Sequence, residues 1–299
     1  MDEVMNKWGF GSGISLFIAA GVSSQIFIRT FSPLNSLGDI AFGSGQAPVG
    51  QLLVFFYSLA NGNVNGAMLA ASAILATIVV FAIAVYAQSM KVEIPLSFGK
   101  VRGYGIRWPL KFLYTSNIPV ILIAALLANI QLWASLLQKS GHPFLGTFSG
   151  NTPTSGFVMW VFPPNVVSNL ISGVFDPISL AHAGTYALFL MAGSVVFSIF
   201  WVQTSGMDAA SQAKNLMASG LQIPGFRRDE RVLERILERY IFPLTIMGAL
   251  TVGFLAAFAD ISGTLSNGTG ILLTVMIIYT FYERIAQDHM IDMHPTMRK

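Results

Sequence analysis

Apolar residues in this chain gather in long runs, separated by stretches rich in Gly, Ser, Asn, Pro and charge. A helix crosses a bilayer with about 20 predominantly apolar residues. By that measure six runs predict membrane spans, at 11–31, 67–88, 110–137, 180–202, 241–259 and 270–282. The sixth is short, so its ends must be polar or it must lie beside protein rather than lipid. The stretches 31–65 and 140–169 read as outer-side loops, the second with a short helix or re-entrant piece near 166–174. On the opposite side, Asp208 begins a short helix that ends before Gly220. Pro224-Gly225 then turns the chain, and Asp229 caps a helix running straight into the fifth span. There Glu230, Glu234 and Glu238 form one i,i+4 row and Arg231, Arg235 and Arg239 the next. That pattern predicts a solvated helix laced with ion pairs.

Composition points the same way. With 54% hydrophobic and 10% charged residues, the chain is far from the balance of a soluble domain. A six-span path leaves only Arg29 and Lys139 on one side and the other fifteen of 17 Lys and Arg residues opposite. The positive-inside rule then puts both termini in the cytoplasm. Trp8, Trp108, Trp133 and Trp201 sit near predicted span ends, as interfacial anchors do. The chain has no cysteine, which excludes disulfides and thiolate chemistry.

Catalytic patterns are missing from the sequence. The central parts of the spans hold no Asp, Glu, Lys or Arg, which argues against an ion-coupled transporter. His142, His182, His289 and His294 are scattered, and no His-Glu-x-x-His zinc pattern occurs. No Ser/His or acidic pair has the reach for nucleophilic or acid–base work. Gly99-Lys100 lacks the upstream Gly and following Ser/Thr of a phosphate-binding loop. The expectation is a non-enzymatic membrane protein without cofactor or metal.

Two Gly-rich segments open spans: Gly9-Phe10-Gly11-Ser12-Gly13 before the first and Ser266-Asn267-Gly268-Thr269-Gly270 before the sixth. Small residues let helices approach closely. Equally, backbone exposed at membrane depth is tolerated where it lines protein or a water-filled cavity. The sequence supports both readings, close packing and a vestibule. Between residues 90 and 133 a basic, Gly-containing, hairpin-like segment carries Lys91, Lys100, Arg102, Arg107 and Lys111. It runs unbroken into an apolar helix with Pro119 and Asn129, and Leu110 onward is expected to enter lipid.

This segment closely resembles the loop and seventh transmembrane helix of the SecY family, the channel subunit of the protein-conducting translocon, in its archaeal-type branch. The two Gly-rich openings are similar to the starts of that family's fifth and tenth helices. The resemblance extends over essentially all of the chain but covers about the C-terminal two-thirds of the family pattern. It implies an all-α, polytopic transmembrane helix bundle of about six spans, part of a channel built from inverted repeats. Residues 1–66 would be the last helix of the first half plus an outer loop, and 67–299 the second half. The family's first four helices, its plug, two ring positions and one wall of its lateral gate have no counterpart here. A truncated or incomplete reading frame is expected, one that does not close a channel alone.

The resemblance also assigns roles. Ile14 and Ile18, spaced i,i+4 on one helix face, match positions of an apolar pore ring. Ile121, in Asn117-Ile118-Pro119-Val120-Ile121, and Leu273 match two more. Such a ring closes around a passing polypeptide and hinders ions by dewetting. Without the resemblance, each would be ordinary packing. Asn129 is similar to a polar position of the lateral gate; on its own it reads as an interhelical hydrogen bond. The family's ribosome- or motor-binding loops match 91–111 and 205–239, which makes Lys100, Arg102, Arg107, Arg227 and Arg228 docking candidates. Arg227 follows the Pro224-Gly225 turn after one intervening residue, Phe226. Implied partners are SecE-like and small β-type (SecG or Sec-beta) subunits, a ribosome or cytosolic motor, signal sequences and nascent polypeptides, and lipids of the cell membrane. The alternatives are half of a secondary transporter for an uncharged substrate, and a scaffold without a pore.

Overall fold

The structure of the chain, a computed structural model, describes residues 13–35, 37–41, 46–98, 105–115, 118–150, 152–174, 176–222 and 229–293. In chain order the elements are α1 (Gly13–Phe31), α2 (Gln51–Ala60), α3 (Val64–Ser89), β1 (Lys91–Phe98), β2 (Gly105–Lys111) and α4 (Ile118–Lys139). Then come β3 (Phe148–Ser149), β4 (Thr152–Pro153), α5 (Phe157–Trp160), α6 (Val166–Ile171), α7 (Pro177–Thr204) and α8 (Ala209–Ala218). The last are β5 (Leu221–Gln222), α9 (Glu230–Ile261) and α10 (Gly268–Met293). Among the described residues six helical segments are long and apolar enough to cross a membrane, and each contains or overlaps one predicted run. The sixth resolves the puzzle of its short apolar stretch: the helix continues well past Tyr282 through the polar residues Glu283 and Arg284.

The chain forms two units. One comprises Met1–Val85, Pro163–Gly184 and Leu255–Lys299, and the other Tyr86–Phe162 and Thr185–Phe254. In the first, α1 packs along α10. Its stripe Ser15, Ala19, Val22, Ile26 and Thr30 is buried or half-buried, at the i, i+3, i+4 spacing of a single helix face. Most other large α1 side chains, Phe17 and Phe27 among them, stand exposed. Large apolar groups can face outward when the surrounding solvent is lipid.

The second unit contains a sheet of order β2-β1-β5, antiparallel throughout. Ile94 lies opposite Trp108 and Val92 opposite Leu110, so one face of the hairpin is apolar, as period-two alternation dictates. That face joins a core of Ile94, Leu110, Val202, Ala213, Leu216, Leu233, Leu237, Ile241 and Leu244. Here the structure corrects an expectation. Leu110 does not enter lipid: it is a strand residue, 2% exposed, in this core. The third span begins at Ile118, not at residue 110. Pro119 fits the first turn because its missing N–H would lack an intrahelical partner there anyway.

The predicted caps are present. The Asp208 side chain accepts the Ser211 N–H at 3.2 Å and starts α8; Asp229 accepts the Arg231 N–H at 3.0 Å before α9. Gly220, at φ +81°, follows α8 in the left-handed region that suits glycine. At about 1.5 Å per residue, the 32 residues of α9 exceed the hydrocarbon core, about 30 Å thick. Its charged N-terminal turns therefore extend beyond the lipid. The ion pairs predicted there do not form: among the described residues none joins the Glu230–Glu234–Glu238 row to the Arg231–Arg235–Arg239 row. Three elements in the stretches 31–65 and 140–169 had not been anticipated, α2, the β3–β4 hairpin and the short α5.

Candidate functional site

Three of the four ring candidates lie in the first unit. Ile14 and Ile18 are one turn apart on α1 and are 61% and 42% exposed. At 100° per residue they occupy a flank of the face that carries Ala19 and Val22 toward α10, and Leu16 points about opposite to them. Leu273 is half-buried on α10. Ile121 belongs to the second unit and sits on the exposed side of α4, whose buried side is Pro119, Val120, Ile123 and Leu127. Ile14, Ile18 and Ile121 are thus left open rather than consumed in packing, whereas Leu273 is partly covered.

The Gly-rich opening of α10 has a packing reason. A Cβ on Gly268 would collide with the Ala256 carbonyl oxygen and come within 2.8 Å of the Ala259 Cβ. The Gly268 N–H also donates to Asp260 Oδ1 at 2.7 Å, so the acid at the end of α9 satisfies an otherwise unpaired helix-start donor. At Gly270 a Cβ would meet Val22 methyls at 3.5 Å, an ordinary contact. Of the first Gly-rich segment only Gly13 is described, and it is buried.

Asn129 is exposed on α4, and its side chain donates to the Ala125 carbonyl at 2.8 Å, within its own helix. The amide is therefore held without the neighbouring helix its sequence position suggested. Lys100, Arg102, Arg227 and Arg228 lie outside the described residues. Arg107 is exposed on β2 and its Nη1 donates to Glu93 Oε2 at 3.0 Å across the hairpin. An ion pair so exposed is worth at most about 1 kcal/mol, so the guanidinium can exchange this partner for another at little cost.

The two loops flanking the docking candidates are tied together. The Tyr114 hydroxyl, after β2, donates to the Met207 carbonyl before α8 at 2.7 Å. Burial, with the Asp208 carboxylate adding to it, pushes the Tyr114 hydroxyl up to about 12. The phenol therefore stays protonated and donating through the whole neutral range. Beside it Ser198 Oγ donates to Thr115 Oγ1 at 3.0 Å. A cavity of about 230 Å³ between α7, α8 and α9 joins apolar Val202, Ile241 and Phe242 to acidic Asp208, Glu234 and Glu238. Sequence position alone gave no sign of this acidic cluster, because its members come from two helices.

Comparison with known proteins identifies the pattern. The family model described as SecY matches residues 1–282. The protein translocase subunit SecY of Pyrococcus furiosus is 47% identical over 310 residues, covering 100% of this chain and 64% of the relative. That of Methanocaldococcus jannaschii is 44% identical over 299 residues, covering 100% and 63%. The chain thus spans about 64% of the length of the curated relatives it matches. A solved structure of a protein-conducting channel matches with TM-score 0.75 at 42% identity, over 100% of this chain and 64% of that one. An idle yeast Ssh1 complex bound to the yeast 80S ribosome matches with TM-score 0.61 at 18% identity, over 97% and 62%, a likeness of fold alone.

Proposed function

Because the chain belongs to the SecY family, we propose that it supplies part of the wall of a protein-conducting channel, which moves unfolded polypeptides across a membrane and releases apolar helices into it. The observation that carries this reading is the likeness to a solved protein-conducting channel along the whole chain. Open apolar faces at Ile14, Ile18 and Ile121 support it. A sliding polypeptide needs a surface that excludes water and ions yet binds no particular side chain, and branched aliphatic groups provide that. In this reading Ile14, Ile18, Ile121 and Leu273 form part of the ring, Asn129 belongs to the lateral gate, and the division at residue 66 separates the two channel halves.

The chain is a multi-pass membrane protein. The charge asymmetry supports both termini in the cytoplasm, and the membrane is read as the cell membrane. Reporters fused after Arg102 and after Gly150 should then report opposite sides. The loops 91–111 and 205–239 face a ribosome or cytosolic motor, with Lys100, Arg102, Arg107, Arg227 and Arg228 offering guanidinium and ammonium groups to phosphate or carboxylate. SecE-like and small β-type (SecG or Sec-beta) subunits complete the assembly. The idle yeast Ssh1 complex, which shares the fold, is bound to the yeast 80S ribosome, and this supports the reading.

The test is electrical. With the chain assembled with its partners in a planar bilayer, Ile14→Ser, Ile18→Ser, Ile121→Ser and Leu273→Ser together should raise resting ion conductance at least about tenfold, because a wetted constriction no longer gates by dewetting. Unchanged conductance would remove the ring from the account.

A further inference from the structure

Within the first unit, a cavity of about 470 Å³ opens beside the last turn of α1, a volume in the range of small-molecule sites. Its walls come from α1, α2, α3, α6 and the turn joining α9 to α10, and include Arg29, Gln51, Ser72, Asn165, Ser168 and Thr264. Arg29 supplies the charge. Its Nη1 donates to the Leu265 carbonyl at 3.0 Å, which fixes the head group and commits one of its five N–H donors. The turn is pinned from the other side, where the Leu265 N–H donates to Thr77 Oγ1 at 3.0 Å. Among the described residues no acidic residue lines the cavity and no carboxylate pairs with Arg29. Among the described residues this cation, held beside hydroxyls and amides, thus has no counter-charge.

We propose that this cavity binds a phosphate group. The planar fork of arginine presents parallel donors that match tetrahedral phosphate oxygens, and Gln51, Asn165 and Ser168 can donate to the remaining ones. The Ser72 and Thr264 hydroxyls already donate to backbone carbonyls. Depth favours the same ligand. The 19 residues of α1 measure about 28 Å at 1.5 Å each, close to the roughly 30 Å hydrocarbon thickness. Arg29, in the last turn, therefore sits at the level of lipid headgroups. Two sources offer this chemistry, the phosphodiester of a lipid and free inorganic phosphate.

The test uses the full chain in detergent, titrated with phosphatidylglycerol and read by native mass spectrometry. Diacylglycerol with the same tails serves as the phosphate-free control. Wild type should bind phosphatidylglycerol at least about tenfold more tightly than diacylglycerol, and Arg29→Gln should lose that margin, since charge-assisted bonds are the strong ones. Arg29→Gln also removes the bond to Leu265, so Ser72→Asp provides a second variant. It leaves that bond in place and puts an internal carboxylate into the cavity, and the same loss is expected. Millimolar sodium phosphate displaces the lipid if the free ion shares the site and fails to if only the headgroup does; the phosphate assignment holds either way. Equal binding of the two lipids by wild type, or wild-type affinity in Ser72→Asp, overturns the proposal.

Discussion

The two halves of α9 solve opposite problems with one continuous helix. In the N-terminal half Leu233, Leu237, Ile241 and Leu244 point into the core shared with the sheet and α8, while Arg231, Arg235 and Arg239 are exposed. In the C-terminal half the buried side still holds Val252 and Leu255 but is built mostly from small residues. Small residues, Ala249, Gly253, Ala256, Ala257 and Ala259, are buried, and Met247, Phe254 and Phe258 stand out. Water drives large aliphatic groups inward, whereas lipid tails are as apolar as leucine and leave close packing as the force between helices. Gly253 shows how close: a Cβ there would come within 3.0 Å of the Met191 Cα and Ser194 Oγ on α7. The same residue class, buried, therefore means different physics on either side of about residue 245.

That contrast can be broken by substitution, with stability read from unfolding in mixed micelles. Leu237 is fully buried, so Leu237→Ala should cost about 2–5 kcal/mol through lost transfer energy and a residual cavity. Met247→Ala, on an exposed side chain, should stay within about 0.5 kcal/mol. Equal losses would mean that both halves pack by the same rule. Gly253→Val should destabilise by about 1–3 kcal/mol from overpacking, although it adds apolar surface. A stabilising Val would show room at that crossing. The smallest effect belongs to a cap on the water side: Asp208→Ala should lose about 1 kcal/mol and speed amide exchange in the first turn of α8, leaving the spans unaffected. Exchange unchanged there would remove the cap from the account.

Much of this fold was legible because its signals are local. Apolar runs located all six spans, and the Asp208 and Asp229 caps and the Gly220 stop marked helix ends within a few residues. Leu110 was misplaced because an apolar residue before a span looks the same whether it enters lipid or a water-side core. Only the pairing of Val92 with Leu110 decides. Helix α2 was hidden in a loop otherwise rich in turn residues. The spacing of Ile14 and Ile18 put them on one face, and the structure leaves that face open. The Arg29 cavity was illegible: its walls come from five separate parts of the chain, and α1 and α3 meet at Leu265, whose carbonyl accepts from Arg29 and whose N–H donates to Thr77.

The central claim is that one flank of α1 faces a moving polypeptide and the other does not. The chain has no cysteine, so single replacements report without background. Ile14→Cys and Ile18→Cys should form disulfides with a cysteine in a polypeptide arrested during translocation, in the assembled channel. Leu16→Cys, exposed on about the opposite side of the same helix turn, should not. Disulfides at Leu16 and none at Ile14 or Ile18 would contradict the polypeptide path described here.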